Sequence, residues 1–554
     1  MAHTSHHSIS PHPIGGGFFL LRKTQKLLLV IFIMVADNRT YDVIGFGDEV
    51  PGVLAMVAAA REYRRRTQKP PRMLLMSKSN MQQGIGGHLV RGCLAYLDRS
   101  QISPQQRQSL GLDTFGAPPA IYKEFLQKAG VKQIALDPQK AAAALGEMLK
   151  TAGVATLSNI EISSVQIENG KISSIKTAKG ETYSGKQFID ATVNAELAQA
   201  AQVKKLTGFE TFGLPESELP VTLVFETKGI SPQKLKDIEL GYIKRFANRA
   251  DTAAQELLLK AAGQEAGRAE IFQKDMLDAK GNPKSLWIGA DFIDVRAAAL
   301  SVAYHSWRGQ KIALHEAGLI LDKGNIAILG SDRLSWNALL FNVTGAEAEK
   351  LAKNGGKPTP EMLAEMSFIE KWFKSLGATA VTPAAELYIR HAGNITGVVE
   401  PLSGAKMLIG GVSEAEALGT FSYHFDVRGG IPGIGERARS KGFPSVSFHQ
   451  PTFNIGIRHA IIKSVPNLAV VSPASGFEGL ASAAGRIVEF NSAVGQGLGI
   501  AAVIAIQTNR NLADISNQEV RQVLRETGKL PPIFGRSGEQ ATLLAQVETS
   551  LAQG

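Results

Sequence analysis

The apolar residues fall into short runs of strand or helix length, separated by glycines and charged clusters. Tyr41 to Phe46 is a buried-strand run that ends in a glycine turn, and Val53 to Ala60 is an alanine-rich stretch of helical character. Arg72 to Lys78 reads as a second buried strand. Pro138 to Gly153 has helix chemistry, with Asp137 as N-cap and Gly153 as stop. Ile160 to Ile175 alternates around Asn169-Gly170, the signal of a hairpin. Gln187 to Thr192 is another buried strand, followed by a helix over Ala195–Ala201. Further on, apolar strands (Val221–Phe225, Ile326–Leu329) mix with helices bearing Lys and Glu. Pro466–Pro473 returns to a buried strand, and Gly485–Ile506 is a helix of small residues. Asn517 to Leu524 repeats with helical period.

Strand, glycine turn and helix at Tyr41–Ala60 form the opening of a dinucleotide-binding βαβ unit. Gly45 suits the tight turn, and Gly47 lets backbone N–H groups approach a pyrophosphate at the positive end of the helix. The third glycine of the fingerprint is replaced by Val50, and a glycine follows at Gly52. Asp48 and Glu49 place carboxylates where phosphate would sit. Carboxylates are themselves favoured at a helix N-terminus, so a plain acidic-capped turn accounts for the same string. The second strand ends at Ser77, where a ribose-binding acid is usual. Gly84-Ile85-Gly86-Gly87-His88 then lets the chain pass close to a bound group.

These patterns divide the chain. Residues 1–40 are a disordered or leader segment, and 41–205 the first part of a nucleotide-binding domain. Residues 206–442 are an inserted α+β domain, 443–506 the second part of the nucleotide-binding domain, and 507–554 a helical extension. The expected fold class is α/β, a Rossmann-like FAD/NAD(P)-binding domain with an inserted α+β substrate domain.

Length and composition fit a multi-domain globular protein: 554 residues, 44% hydrophobic and 20% charged. Part of the net charge of +10 sits in Arg61, Arg64, Arg65, Arg66, Lys69 and Arg72, where cations suit the end of the first helix. No aromatic interleaving accompanies them, so no nucleic-acid partner is expected. The single cysteine, Cys93, excludes an internal disulfide, a cysteine zinc site and a CxxC redox pair. It lies among small and apolar residues, as a packed thiol would. No metal site is expected, and His3, His6, His7 and His12 belong to a Ser/Pro/Gly-rich tail. Leu27–Ala36 is too short to cross a membrane and has the look of a signal-peptide core, while Met34 is an alternative natural start. The expectation is a cytoplasmic protein without membrane association, an export segment over 20–36 and the oligomeric state being left open.

In this order, the glycine turn, Gly86-Gly87, the hairpin, Phe188-Ile189-Asp190-Ala191-Thr192, the inserted domain, Asn467–Val470 and Gly495-Gln496-Gly497-Leu498-Gly499 resemble a known family. The chain is similar over residues 41–506 to FAD-dependent oxidoreductases of the glutathione-reductase-like two-dinucleotide fold, in the group related to fumarate reductase and the tRNA-modifying flavoproteins. The resemblance implies non-covalent FAD. Gly45, Gly47 and Gly52 would flank its pyrophosphate. Ser77 and Lys78 stand at the ribose side. Gly86, Gly87 and His88 would pass near the flavin, and Asp190, Ala191 and Thr192 would border the adenine. Ser472 ends the last strand, and Gly495, Gln496 and Gly499 would belong to a helix whose N-terminus faces the flavin. The family pattern Asp-Ala-Thr-Gly-Asp reads here Asp190-Ala191-Thr192-Val193-Asn194. Val50, Ser77 and Val193 each remove an expected contact, so a scaffold that has lost tight FAD binding is the alternative.

Flavin chemistry would be hydride exchange between flavin N5 and a small organic substrate. His424, Asp426 and Arg428 alternate with apolar residues and would share one face, as a catalytic set needs and as a solvated ion-pair ladder also would. His449 and Arg458 are further candidates, Arg458 as a ligand for a carboxylate. Arg390 would bind an anionic substrate or pair with Glu386 on the same helical turn. His305 reads as a satisfied core histidine.

Overall fold

The protein is described here as a computed structural model covering residues 39–391, 393–445, 447–536 and 539–552. The expected leader over 1–40 lies, apart from its last two residues, outside the described residues. The chain opens with β1 (Thr40–Phe46), α1 (Val50–Thr67) and β2 (Met73–Met76). A helix α2 (Pro138–Ala152) leads into β3 (Val154–Leu157). The Asp137 carboxylate accepts from the N–H groups of Gln139 and Lys140, and Gly153 ends the helix in a left-handed conformation. The hairpin follows as β4 (Ile162–Glu168) and β5 (Lys171–Thr177). Its turn residues Asn169 and Gly170 both take positive φ, 51° and 75°, as a two-residue hairpin of this twist requires. β6 (Thr182–Asp190) completes the run, and the order across the sheet is β3-β2-β1-β6-β5-β4. β3, β2, β1 and β6 run parallel, while β4 and β5 are antiparallel.

A second sheet draws its strands from Val221–Pro383, a shorter span than the 206–442 expected for the inserted domain. They are β7 (Val221–Lys228), β8 (Trp287–Ile288), β9 (Phe292–Asp294), β10 (Leu319–Ile328), β11 (Arg333–Phe341) and β12 (Ala380–Pro383). They pair antiparallel in the order β12-β7-β11-β10-β9-β8. Helices cover this sheet around a core of Phe225, Trp336, Trp372 and Phe373. Val193, which stands where the resemblance expects glycine, packs its side chain against the core of this inserted domain, the cap.

The chain then returns to the first sheet. β13 (Leu468–Val470) pairs in parallel with the end of β6, on the edge that β5 leaves free there. α3 (Val488–Thr508) is long and apolar enough to cross a membrane, but 94% of its apolar window is buried in the protein, as in a core helix. It lies against α1 so closely that a Cβ on Gly495 would stand 2.4 Å from the Pro51 carbonyl oxygen, and one on Gly499 2.3 Å from that of Ala55. Glycine is tolerated here despite its helix cost because it brings two backbones together. This corrects the cofactor-binding reading of Gly495 and Gly499, whose Cβ positions point at α1. Gln496 also serves structure, its Oε1 accepting from the Ile121 N–H. The first turn of α3 lies at Val488, seven residues before Gly495.

The C-terminal helix α4 (Glu539–Ala552) is fastened by a buried carboxylate. Glu548 accepts from the backbone N–H groups of Ala405 (2.9 Å) and Leu480 (2.9 Å), close to the starts of two short helices. Burial pushes its carboxyl up to about 7. A cavity of about 500 Å³ lies beside it, lined by Thr211, Thr396, Phe477 and Glu548 among others.

Gly499→Val drives two methyl groups into the backbone of α1. The expected loss is about 3 kcal/mol, read as a lower urea midpoint of protein freed of any cofactor. A purely cofactor-binding role would leave that midpoint unchanged.

Candidate functional site

The parallel strands β2, β1 and β6 end side by side, and at their carboxyl ends lies the cleft where open α/β sheets bind ligands. Its walls are Gly47–Glu49, Ser77–Ser79, His88, Arg91 and Ala191–Asn194, closed from the cap side by Gly355, Gly356, Glu386 and Leu387. The space left between them is about 80 Å³.

The glycines hold the turn against β6. Gly47 has φ +97°, and a Cβ there would lie 2.5 Å from backbone atoms of Ala191 and Thr192. A Cβ on Gly52 would meet the Ala191 Cβ at 2.1 Å. Gly45 instead packs strand on helix, its missing Cβ leaving room for Met56.

Asp48 turns inward. Its carboxylate takes two hydrogen bonds from Arg91 (Nη1 2.6 Å, Nη2 3.0 Å), one from Ser77 Oγ (2.8 Å) and one from the Gly86 N–H (3.2 Å). Burial pushes this carboxyl up, but the Arg91 charge and these hydrogen bonds outweigh it and hold the group below its ordinary value. Arg91 also donates through Nε to Glu386 (2.7 Å), which belongs to the cap side, and through Nη1 to the Gly84 carbonyl (2.6 Å). Glu386 and Arg390 do not share a helical turn, since residues 384–391 are irregular; Glu386 pairs across the cleft with Arg91.

Glu49 is held differently. Its Oε1 accepts the His88 backbone N–H at 3.1 Å. Its Oε2 lies 2.5 Å from His88 Nδ1, and the other ring nitrogen of the buried His88, Nε2, has no hydrogen-bond partner. A Cβ on Gly87 would fall on the Glu49 carboxylate, which explains the glycine and its φ of +51°. Lys78 spans the cleft mouth, bonding the Lys353 carbonyl (2.7 Å) and lying 3.4 Å from Glu196.

Asp190, at the end of β6, is buried and accepts from Thr192 N (2.9 Å), Thr192 Oγ1 (2.7 Å) and Ala198 N (3.0 Å). It thus starts the following helix; it does not line the cleft, whereas Ala191 and Thr192 do. Ser472 is likewise turned inward, its Oγ accepting from the Ala474 N–H.

Next to the cleft is a second polar centre. The His88 ring stacks on Tyr388, centroids 5.0 Å apart. Behind Tyr388 are the buried Arg390 and Arg486, with the 18% exposed side chain of Arg428 in the same charge cluster. Arg486 donates to Tyr388 Oη (2.6 Å) and Asp426 Oδ2 (2.6 Å). The Arg390 guanidinium carbon lies 4.4 Å from the Tyr388 ring centre, and Nη1 bonds the Pro220 carbonyl and Thr222 Oγ1. Each arginine keeps a nitrogen without a hydrogen-bond partner: Arg390 Nε, Arg428 Nη1 and Arg486 Nε. Burial pushes Arg390 down to about 10. Burial also raises the Asp426 carboxyl, yet Arg486, Arg428 and Arg390 together bring it down to about 2.

The expected catalytic set is therefore split. The strand ends at Ser422, so His424, Asp426 and Arg428 do not alternate on one face. His424 is exposed, its ring against Gln101 (3.1 Å); Asp426 pairs with Arg486, and Arg428 lies 3.8 Å from Asp322. His449 is exposed in a loop, and Arg458 lies 3.6 Å from Glu400 with a third of its side chain open. His305 is the core histidine expected, its Nε2 accepting from the Leu321 N–H. Burial pushes the Cys93 thiol up to about 11, away from the lowered values of reactive cysteines. Arg91, Tyr388 and Arg486 escaped the sequence reading, because a buried arginine has no periodic signature.

Burial raises the Asp190 carboxyl to about 6 from 3.8, and its three hydrogen bonds only partly offset this. Between these values the folded chain holds a proton that the unfolded chain has lost. This contribution is fully present below 3.8 and is lost as pH rises through about 6. The stability of the natural protein relative to Asp190→Asn should fall across that window in urea titrations, and a flat difference would refute it.

The model of the family described as FAD dependent oxidoreductase matches residues 42–524. Among curated protein sequences, none matches the chain. Of the solved structures it is similar to, a geranylgeranyl bacteriochlorophyll reductase-like protein from Thermoplasma acidophilum is 12% identical with a TM-score of 0.36, over 93% of this chain and 88% of that one. L-proline dehydrogenase from P. horikoshii is 11% identical with a TM-score of 0.31, over 89% and 99%. Halogenase PltM is 12% identical with a TM-score of 0.35, over 88% and 73%. The family match spans both halves of the nucleotide domain and the cap, and on it the chain belongs to the FAD dependent oxidoreductase family, with FAD as its cofactor.

Proposed function

We propose that the protein moves a hydride between flavin N5 and a small anionic organic substrate held by Arg390, Arg428 and Arg486. The observation that carries this reading is the His88–Tyr388 stack. It sets a cluster of arginines with spare N–H donors one aromatic ring away from the nucleotide cleft.

The donor set of the cleft suits the cofactor's phosphates. Arg91, Ser77 Oγ and the Gly86 N–H already surround an oxyanion, the Asp48 carboxylate. Gly47 and Gly52 let the turn pack directly on Ala191 and Thr192 beside the cleft. The residues that would hold FAD are Gly47, Ser77, Lys78, Gly86, His88, Arg91, Ala191 and Thr192, with the N-terminus of α1. Bound there, FAD supplies two-electron redox chemistry at N5.

The chain's own groups do the rest. A carboxylate fits a guanidinium in a forked pair, so the spare N–H groups would fix the substrate's orientation. Asp426, ionised beside Arg486, keeps that guanidinium aimed at Tyr388. Tyr388 Oη is the group placed to give or take a proton beside the bound anion.

A non-catalytic scaffold is the second reading, favoured by the acidic turn Asp48-Glu49. The visible spectrum separates the two. Purified protein should carry, or take up, the near-ultraviolet and blue bands of bound flavin, and a chain that stays colourless with FAD added would support the scaffold. Small carboxylates should perturb those bands. Arg428→Met, at the least buried of the three arginines, should weaken that binding by roughly tenfold or more, as loss of a charged hydrogen bond implies, while the flavin is retained. Unchanged carboxylate binding would rule out the arginine site.

A further inference from the structure

We infer that Asp48 is a built-in competitor for the pyrophosphate of the cofactor, and that FAD binds by exchanging a phosphate for this carboxylate on Arg91. The inference rests on the FAD reading of the cleft and goes beyond it to the residues that set its affinity.

The cleft contains an oxyanion receptor that is already filled from within. Four donors converge on Asp48: Arg91 Nη1 and Nη2, Ser77 Oγ and Gly86 N. A planar fork of two guanidinium N–H groups, a hydroxyl and a backbone N–H at the carboxyl end of a parallel strand are the partners a phosphate takes. The receptor is buried, with the Arg91 and Asp48 side chains each only 4% exposed. Ser77 stands where a ribose acid is usual, and in this chain it donates to Asp48. The departure at Ser77 and the acid at Asp48 thus form one arrangement.

A second observation points to a missing ligand in the same space. Beside the receptor, His88 Nε2 is buried without a hydrogen-bond partner, while Glu49 Oε2 and His88 Nδ1 meet each other at 2.5 Å. Both residues line the cleft. Buried polar atoms are rarely left unpartnered unless something else meets them. The cleft's 80 Å³ is also far too small for a dinucleotide while Asp48 and the cap residues stay in place.

The charges make the exchange feasible. Arg91 faces two carboxylates, Asp48 and Glu386. When Asp48 swings out, Glu386 and the Gly84 carbonyl still hold the guanidinium, leaving its outer N–H groups for phosphate. The empty site is thereby kept neutralised, and an arginine is not left buried without a counter-ion.

The test uses the full chain freed of flavin, with Asp48→Asn to remove the competing charge at constant shape. Binding of FAD, ADP and riboflavin is followed by fluorescence quenching or calorimetry, and the melting temperature of the flavin-free protein is recorded. Asp48→Asn should bind FAD and ADP at least tenfold tighter than the natural chain, with riboflavin, which has no phosphate, unchanged. Its flavin-free form should melt lower. Adding Arg91→Met to Asp48→Asn should abolish the gain. Asp48→Ser replaces the Asn variant should that fail to fold. Tighter riboflavin binding by the same factor would show general loosening and overturn the exchange. An unchanged gain in the double variant would also overturn it. FAD bound by the natural chain but no tighter by Asp48→Asn sinks the exchange and leaves the cofactor reading standing. If no variant takes up FAD, the cofactor reading falls and the exchange with it.

Discussion

One guanidinium holds three parts of this molecule together beside the cleft at the ends of the parallel strands. Arg91 reaches from the segment after β2 to the turn after β1, through Asp48, and to the cap side, through Glu386. All three side chains are largely buried, so removing one partner would leave a charge stranded away from water. The turn, the Gly86-Gly87 passage and the cap therefore cannot move independently. The form of the cleft, and the room it leaves, follow from this constraint.

Around the clasp, glycine does two different jobs. Gly47, Gly52 and Gly87 make space for a tight chain path next to the cleft. Gly495 and Gly499 bring α3 against α1, which stiffens the helix whose N-terminus faces the cleft. The two groups look alike in the sequence, because both are small residues in apolar surroundings. What each glycine faces distinguishes them, and only the folded chain shows that.

The second polar centre gains its meaning from position. Arg390, Arg428 and Arg486 come from three separate segments and meet around Tyr388 and Asp426. Buried arginines are costly, and each of these keeps a nitrogen without a hydrogen-bond partner. His88 joins this centre to the nucleotide cleft by its stack on Tyr388. The exposed His424 and His449, attractive as isolated letters, have no comparable surroundings.

Local chemistry was enough to read much of the framework. Asp137 and Gly153 bound α2, Asn169-Gly170 turn the hairpin, and the apolar runs at β1, β2, β6 and β13 are parallel strands buried on both faces. Each depends on backbone preference or hydrophobic period within a few residues, and such signals survive without tertiary context. The glycine turn was legible as a nucleotide-type turn for the same reason. The sequence could not say where the Asp48 and Glu49 carboxylates point, because that depends on Arg91, some forty residues on, and on His88. Nor could it separate Asp426 from His424, since their expected alternation required a strand that ends at Ser422. Pairing between distant charges is set by which loops the sheet brings together, so the tertiary structure alone decided that this turn holds its own anion.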